Sequence, residues 1–157
     1  MTSSDGQDYS DISLLHLFSL EAETQTALLN DGLLTLERDP QHAESLEALM
    51  RAAHSLKGAA RIVQLGAAER VAHVMEDCFV AAQEGRVVFT SEHIEVLLQG
   101  VDVLTRLAQA ATTDAAAEAL AAYQPEVDAQ VAALRAIVTS GATPPSSPLH
   151  HTPRSCA

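Results

Sequence analysis

Apolar residues recur along this chain at intervals of three and four, the period of an amphipathic helix, in four successive segments. Pro40 ends the first pattern and Gly85 ends the third, whereas Ser91 is placed to cap the fourth, with Glu92 in its first turn. The pattern therefore predicts helices near residues 10–38, along the stripe from Leu46 to Val63, from Ala67 to Glu84, and after Ser91 as far as Leu107.

Four stripes of similar length with short connections predict an all-α fold, an antiparallel four-helix bundle over residues 10–110. An alanine-rich segment at 114–138 predicts an additional C-terminal helix, which Pro125 either kinks or restarts. The pattern leaves open whether this fifth helix packs on the bundle, and we expect the bundle to fold without it. We expect residues 1–9 to be a flexible N-terminus and residues 139–157 to be a disordered Pro/Ser-rich linker.

The composition supports a helical core and narrows the class of partner. Apolar residues make up 47% of the chain but aromatic residues only 3%, so the core must consist of aliphatic side chains, which suits helix packing. A net charge of −12, from 21 acidic and 9 basic residues, argues against nucleic acid as a partner. No apolar run approaches the ~18 residues of a membrane span, and the N-terminus lacks a signal-peptide pattern. We therefore expect no membrane insertion, a cytoplasmic location, and reduced thiols at Cys78 and Cys156.

Candidate chemistry first appears in the second predicted helix. The only lysine of the chain, Lys57, follows His54 by three residues and directly precedes Gly58. The spacings i, i+3 and i, i+4 place all three residues on one helix face. A histidine beside a fixed positive charge, with no side chain on the next turn to block approach, suits an incoming phosphoryl group.

A second polar pair, His73 and Glu76, lies in the third predicted helix, also at i, i+3. Glu76 is as far from Leu65 as His54 is, and His73 is as far from Leu65 as Lys57 is. We expect the chain to turn at Leu65, with Gly66 adopting the positive φ that closes a helix. Since antiparallel helices bring equidistant positions to the same height, His54 should face Glu76.

This facing matters for the chemistry of an imidazole nucleophile. The attacking nitrogen must be neutral and held in one tautomer, and a carboxylate that accepts from the other ring N–H, here Glu76, does both. Lys57 is placed to meet the phosphoryl oxygens, because phosphoryl transfer mainly requires positioning and charge stabilisation. Gly58 leaves room for a partner's active site, and His73 should extend the hydrogen-bond network between Glu76 and Lys57.

The run from His54 to Ala60, the downstream Gly66 and the segment His73 to Glu76 together resemble the histidine phosphotransfer (HPt) domain at the N-terminus of CheA-type chemosensory kinases. The resemblance extends over about Ser10 to Ala110, and the flanking sequence is most similar to the kinase of Wsp-type surface-sensing systems. It implies an HPt-like bundle.

The same resemblance implies roles for the candidate residues. His54 is the phosphoacceptor, Lys57 the phosphate partner, Glu76 the ring orienter and His73 a network member. In that family an ATP-binding kinase domain phosphorylates the histidine, which passes the group to an aspartate of a response regulator. The implied partners are a kinase catalytic domain in the same polypeptide and receiver domains. This chain shows no Gly-rich nucleotide loop or magnesium-binding aspartate cluster, so we expect no cofactor here, with ATP and magnesium bound by the separate kinase domain.

Two alternatives remain open from the residues alone. A ferritin-like metal site would need two Glu-x-x-His pairs on facing helices, whereas this chain offers one pair in the reversed order, beside the repelling charge of Lys57. A non-catalytic interaction module, which docks through its acidic surface or its last helix, is the other alternative.

Overall fold

The computed structural model describes residues 3–141, which form six α-helices and contain no strand. The predicted all-α class is therefore confirmed for this part of the chain. The helices are α1 Ser3–Arg38, α2 Ala43–Ile62, α3 Gly66–Gln83, α4 Ser91–Ala111, α5 Ala116–Ala122 and α6 Gln124–Gly141.

The first four helices run up, down, up and down. At the start of the α2–α3 hairpin Arg61 pairs with Glu69, and further from the turn His54 contacts Glu76, as antiparallel neighbours require. Helix α1 packs against both α2 and α4, and it passes so close to α2 that a Cβ on Gly32 would overlap a side chain of α2.

The core is built almost entirely from aliphatic residues, as the composition predicts. Its largest fully buried side chains come from all four long bundle helices and from α6: Phe79, Leu29, Leu33, Leu36, Leu49, Leu56, Met75, Ile94, Leu97, Leu107, Leu134 and Val71.

Helix α6 belongs to this core and packs on both α3 and α4. The Gln130 side chain is buried and donates to the Val96 carbonyl of α4 at 2.9 Å, and the Cys78 thiol of α3 lies 3.4 Å from the Leu134 carbonyl. The apolar side of α6 is buried at Val127, Val131, Leu134 and Ile137. A bundle boundary at residue 110 therefore excludes a helix that contributes to the core.

The ends of the predicted helices differ from the structure in several places. Helix α1 begins at Ser3, so residues 3–9, which we expected to be flexible, are helical. The sequence does not predict this extension because the helical repeat of apolar residues begins only at Leu15. The predicted fifth helix is two helices, since the chain restarts at Gln124 and carries Pro125 in the first turn of α6, where a missing N–H costs little.

The C-terminal end of α6 is Gly141, so residues 139–141 of the predicted linker are helical. Residues 142–157, with the rest of that linker and Cys156, lie outside the described residues.

The turn between α2 and α3 is closed by Gln64 and not by Gly66. Gln64 has φ 61°, whereas Gly66 is the first residue of α3. The Leu65 N–H donates to Ala60 O and the Gln64 N–H to Arg61 O, the bonds of a Schellman motif. In that motif the residue two positions after the helix takes the left-handed conformation, and here that position holds a glutamine.

The N-cap of α4 is Thr90 and not Ser91, which is the first helical residue. The Thr90 hydroxyl accepts from the His93 N–H at 3.1 Å, and the His93 ring accepts from the Thr90 N–H at 3.3 Å. This reciprocal capping box satisfies two backbone donors, which a cap one residue later would leave without these partners.

Candidate functional site

Helix α2 holds His54 on its outer face. The buried residues of this helix are Leu46, Leu49, Ala52, Ala53, Leu56 and Ala60. His54 lies off this line, and 63% of its side chain is exposed. Its ring is therefore accessible to a second macromolecule.

Helix α3 brings a carboxylate to the ring. The His54 Nδ1 lies 2.8 Å from Oε2 of Glu76, whose side chain is only 14% exposed. This contact spans the turn at Leu65, at the equal distances that the sequence predicts. Because an ionised carboxylate can only accept, Nδ1 carries the proton of this hydrogen bond.

Lys57 occupies the second oxygen of the same carboxylate. Its Nζ lies 2.8 Å from Oε1 of Glu76, and 18% of the lysine side chain is exposed. Partial burial alone would raise the pKa of Glu76, but the contacts with Lys57 and His54 outweigh it and hold that pKa below its ordinary value. Glu76 is therefore ionised at neutral pH and available to orient the ring.

The hydrogen bond fixes the chemistry of the imidazole. With the proton on Nδ1, a neutral His54 ring carries its lone pair on Nε2. No side chain that the structure describes forms a hydrogen bond with Nε2. The arrangement thus presents a single nucleophilic nitrogen on an exposed helix face.

Gly58 leaves the surface beside the ring open. A Cβ at this position would meet no atom within 4 Å. Packing within the molecule therefore gives no reason for a glycine in a helix interior, where it costs roughly 0.5–1 kcal/mol relative to alanine. The expected role of Gly58 in access for a partner stays a prediction.

His73 is the predicted site residue that the structure does not bring into the cluster. Its Nε2 lies 4.0 Å from Asp77 Oδ1 on its own helix, and both side chains are more than half exposed. The sequence analysis did not name Asp77 as a neighbour of His73, although their i, i+4 spacing on a helix predicts the contact. A network role for His73 stays a prediction.

Other polar groups have structural explanations. His42 caps α2 by accepting from the Ser45 N–H at 3.2 Å, and Cys78 is buried, which raises the pKa of its thiol to about 12. Among the side chains that the structure describes, no group of three or more His, Cys, Asp or Glu is placed to hold a metal ion. None of the helices within residues 3–141 is long and apolar enough to cross a membrane.

Among curated proteins, the chain is similar to chemotaxis proteins. The chain is 28% identical over 147 residues to the chemotaxis protein CheA of Treponema pallidum, covering 94% of this chain and 17% of that protein. It is 29% identical over 100 residues to CheA of Borreliella burgdorferi, covering 64% of this chain and 12% of that protein. The chain thus spans less than a fifth of the length of these relatives.

The fold has a counterpart among solved structures. The phosphorylated P1 domain of CheA3 from R. sphaeroides, crystallised in complex with CheY6, matches with a TM-score of 0.69 at 22% identity, over 83% of this chain and 99% of that one. A bundle with an additional C-terminal helix is therefore a known fold.

The family assignment follows from a match that covers most of the chain. The Hpt domain model matches residues 13–139, a range that includes the described site and most of α6. The prediction from the His54 and Glu76 motifs is confirmed at this level, whereas the Wsp-type similarity stays a prediction. The chain belongs to the Hpt domain family.

Proposed function

We propose that His54 accepts a phosphoryl group on Nε2 from an ATP-binding kinase domain and passes it to an aspartate of a response regulator. The observation that carries this proposal is the 2.8 Å contact between His54 Nδ1 and Glu76 Oε2, combined with the exposure of the ring. This contact favours one tautomer and leaves one nitrogen free to react. The family and the CheA relatives support the same function.

The reaction places specific demands on these side chains. The Nε2 lone pair attacks the γ-phosphorus of ATP, the bond from phosphorus to the bridging oxygen breaks, and ADP leaves with that electron pair. The ring keeps its Nδ1 proton and becomes positively charged, which the ionised Glu76 stabilises across the hydrogen bond. In the second step an aspartate oxygen attacks phosphorus and the electron pair of the P–N bond returns to Nε2.

The remaining site residues support this step. Lys57 balances the charge of Glu76 and holds its carboxylate in place, and its expected contact with the phosphoryl oxygens stays a prediction. Gly58 keeps the approach open. We further propose that ATP and magnesium are bound by a separate kinase domain of the same polypeptide, because the CheA relatives are far longer than this chain. A cytoplasmic location follows from the need for ATP.

The test measures both transfer steps, from the kinase domain to the chain and from the chain to a receiver domain. The chain is incubated with a CheA kinase domain that lacks its own phosphoacceptor and with γ-labelled ATP, and it is then repurified and mixed with a receiver domain. We expect an acid-labile, base-stable label on the chain that moves to the receiver within seconds to minutes. A chain that takes up no label, or whose label is acid-stable, would contradict the proposal. A non-catalytic interaction module would give the first of these results.

A further inference from the structure

A phosphoryl group on Nε2 gains stability from a cation on that side of the ring, whereas Lys57 is bound to the carboxylate on the Nδ1 side. Lys57 Nζ binds Oε1 of the carboxylate whose Oε2 binds His54 Nδ1. Nδ1 and Nε2 flank Cε1 in the imidazole ring, and the bonds that leave the ring from these two nitrogens diverge widely. A phosphoryl group on Nε2 therefore points away from Glu76 and from the lysine ammonium bound to it.

Arg51 lies on the open side. On a helix with 3.6 residues per turn, positions three before and three after His54 lie about 60° to either side of it. Lys57 takes the side toward α3, where it contacts Glu76. Arg51 takes the other side, where it lines a groove of about 400 Å³ together with Gln25 of α1.

The guanidinium is available to a new anion. Its Nη2 pairs with Glu47 Oε2 at 2.8 Å, but the arginine and glutamate side chains are 72% and 53% exposed. An exposed i, i+4 ion pair of this kind contributes about 0.3–0.5 kcal/mol, so a phosphoryl group can displace it. The i, i+3 spacing from His54 puts the guanidinium within reach, since the Cβ atoms of such neighbours are ≈ 5–6 Å apart.

The charge of the helix agrees with this role. The chain carries 21 acidic and 9 basic residues, but three of the bases and only two of the acids lie on α2. A phosphoryl dianion on most of this surface would meet like charge, whereas on α2 it meets a guanidinium that can bind two of its oxygens at once.

Resting on the proposed function, we infer that Arg51, in place of the Lys57 expected from the sequence, is the cation that binds the phosphoryl group on His54 Nε2. Lys57 instead acts on the Nδ1 side as the counter-ion of Glu76. Arg51 thus stabilises the transferring group directly. It bridges from the site to the groove between α1 and α2.

The test uses a small-molecule phosphoryl donor, so that no partner protein contacts the chain during the reaction. The full chain is phosphorylated with phosphoramidate, whose P–N bond breaks as the bond to Nε2 forms and ammonia leaves, and phosphohistidine is followed by ³¹P NMR. We expect Arg51→Ala to form phosphohistidine about five- to tenfold more slowly, and Arg51→Lys to recover part of the rate. The matched control is Arg61→Ala, because Arg61 lies on the same helix as Arg51, its side chain is 69% exposed, and it pairs with Glu69 of α3 at 2.8 Å. The labelling rate of Arg61→Ala should equal that of the wild type.

A second measurement separates contact from structure. A nearby cation favours the phosphoryl dianion, so Arg51→Ala should raise the pKa of the phosphoryl group in a ³¹P titration more than Lys57→Ala does. Equal labelling rates in the wild type and Arg51→Ala, or a larger pKa change in Lys57→Ala, would overturn the inference. If the wild-type chain forms no phosphohistidine at His54, the proposed function itself fails.

Discussion

The two sides of helix α3 differ in function: one side contributes to the polar site and the other to the hydrophobic core. Toward α2 it presents Glu76, which joins an exposed histidine and a lysine in a small polar cluster. Toward α4 and α6 the same helix presents Met75 and Cys78, both fully buried. Residues of the polar side can thus be changed with little loss of packing, whereas residues of the buried side hold the helix that positions the carboxylate.

The largest expected effect concerns the buried side. Deletion of residues 114–157 removes α5 and α6, and with them four buried aliphatic side chains at about 1.5–3 kcal/mol each. That sum is comparable to the whole stability of a small domain, about 5–15 kcal/mol. We therefore expect the fragment to lose cooperative unfolding in circular dichroism, contrary to the expectation from sequence.

The matched control deletes only residues 142–157 and should melt as the full chain does. If the shorter fragment also unfolds cooperatively within a few degrees of the full chain, α6 is not essential to the core. The contrast between the two sides of α3 would then be wrong.

The next effect concerns the polar side. Glu76→Ala removes the group that orients the ring but leaves the nucleophile, so phosphotransfer should fall by roughly 10- to 100-fold without being abolished. The rate of labelling by a separately supplied kinase domain measures this. The control Glu69→Ala removes an α3 carboxylate that pairs across to α2 through Arg61, away from the ring. An unchanged rate in Glu76→Ala would remove this carboxylate from the mechanism.

The sequence predicts the polar side of α3 better than it predicts the packing of the buried side. The facing of His54 and Glu76 follows from equal distances to the turn, because helical rise is constant and the turn lies where expected. The docking of α6 depends on how its apolar stripe meets α3 and α4, which periodicity alone does not specify. The position of the positive φ in the turn was also not predictable from residue preference: α2 ends at Ile62, so the left-handed position falls on Gln64, and Gly66 begins α3 instead.

The partner of His73 illustrates a further limit. Equal distances from Leu65 predict that His73 and Lys57 lie at one height, but height does not decide which side chains meet. Lys57 reaches Glu76, and His73 lies near Asp77 instead. Rotation about the helix axis and side-chain length decided this pairing.

Smaller effects are expected at Gly58, where one substitution tests stability and another tests access of the kinase domain to His54. Gly58→Ala should raise the free energy of unfolding by roughly 0.5–1 kcal/mol, because the new Cβ meets open space. Gly58→Met should leave labelling by phosphoramidate unchanged but slow labelling by the kinase domain, since only the latter brings a surface. Equal rates of Gly58→Met and wild type with the kinase domain would show that access at this position is not limiting.

The smallest effect is a pH dependence of stability. The pKa of Glu76 is lower in the folded chain than its ordinary value, so its ionisation stabilises the fold fully above its unfolded pKa, roughly 4.3. This contribution is lost as the pH falls through the lower folded pKa. The difference in melting temperature between wild type and Glu76→Gln should therefore be constant from pH 7 to 6 and shrink below pH 4. A difference that grows on acidification would contradict the lowered pKa.

The central claim is that one exposed histidine accepts the phosphoryl group, and one paired measurement tests it most directly. His54→Gln is labelled by a kinase domain and γ-labelled ATP in parallel with the wild type, and both proteins are melted. Since the ring is mostly exposed, the variant should melt within about 2–4 °C of the wild type and take up no label. A folded His54→Gln chain that still acquires an acid-labile label would place the phosphoryl group on another residue and contradict the account.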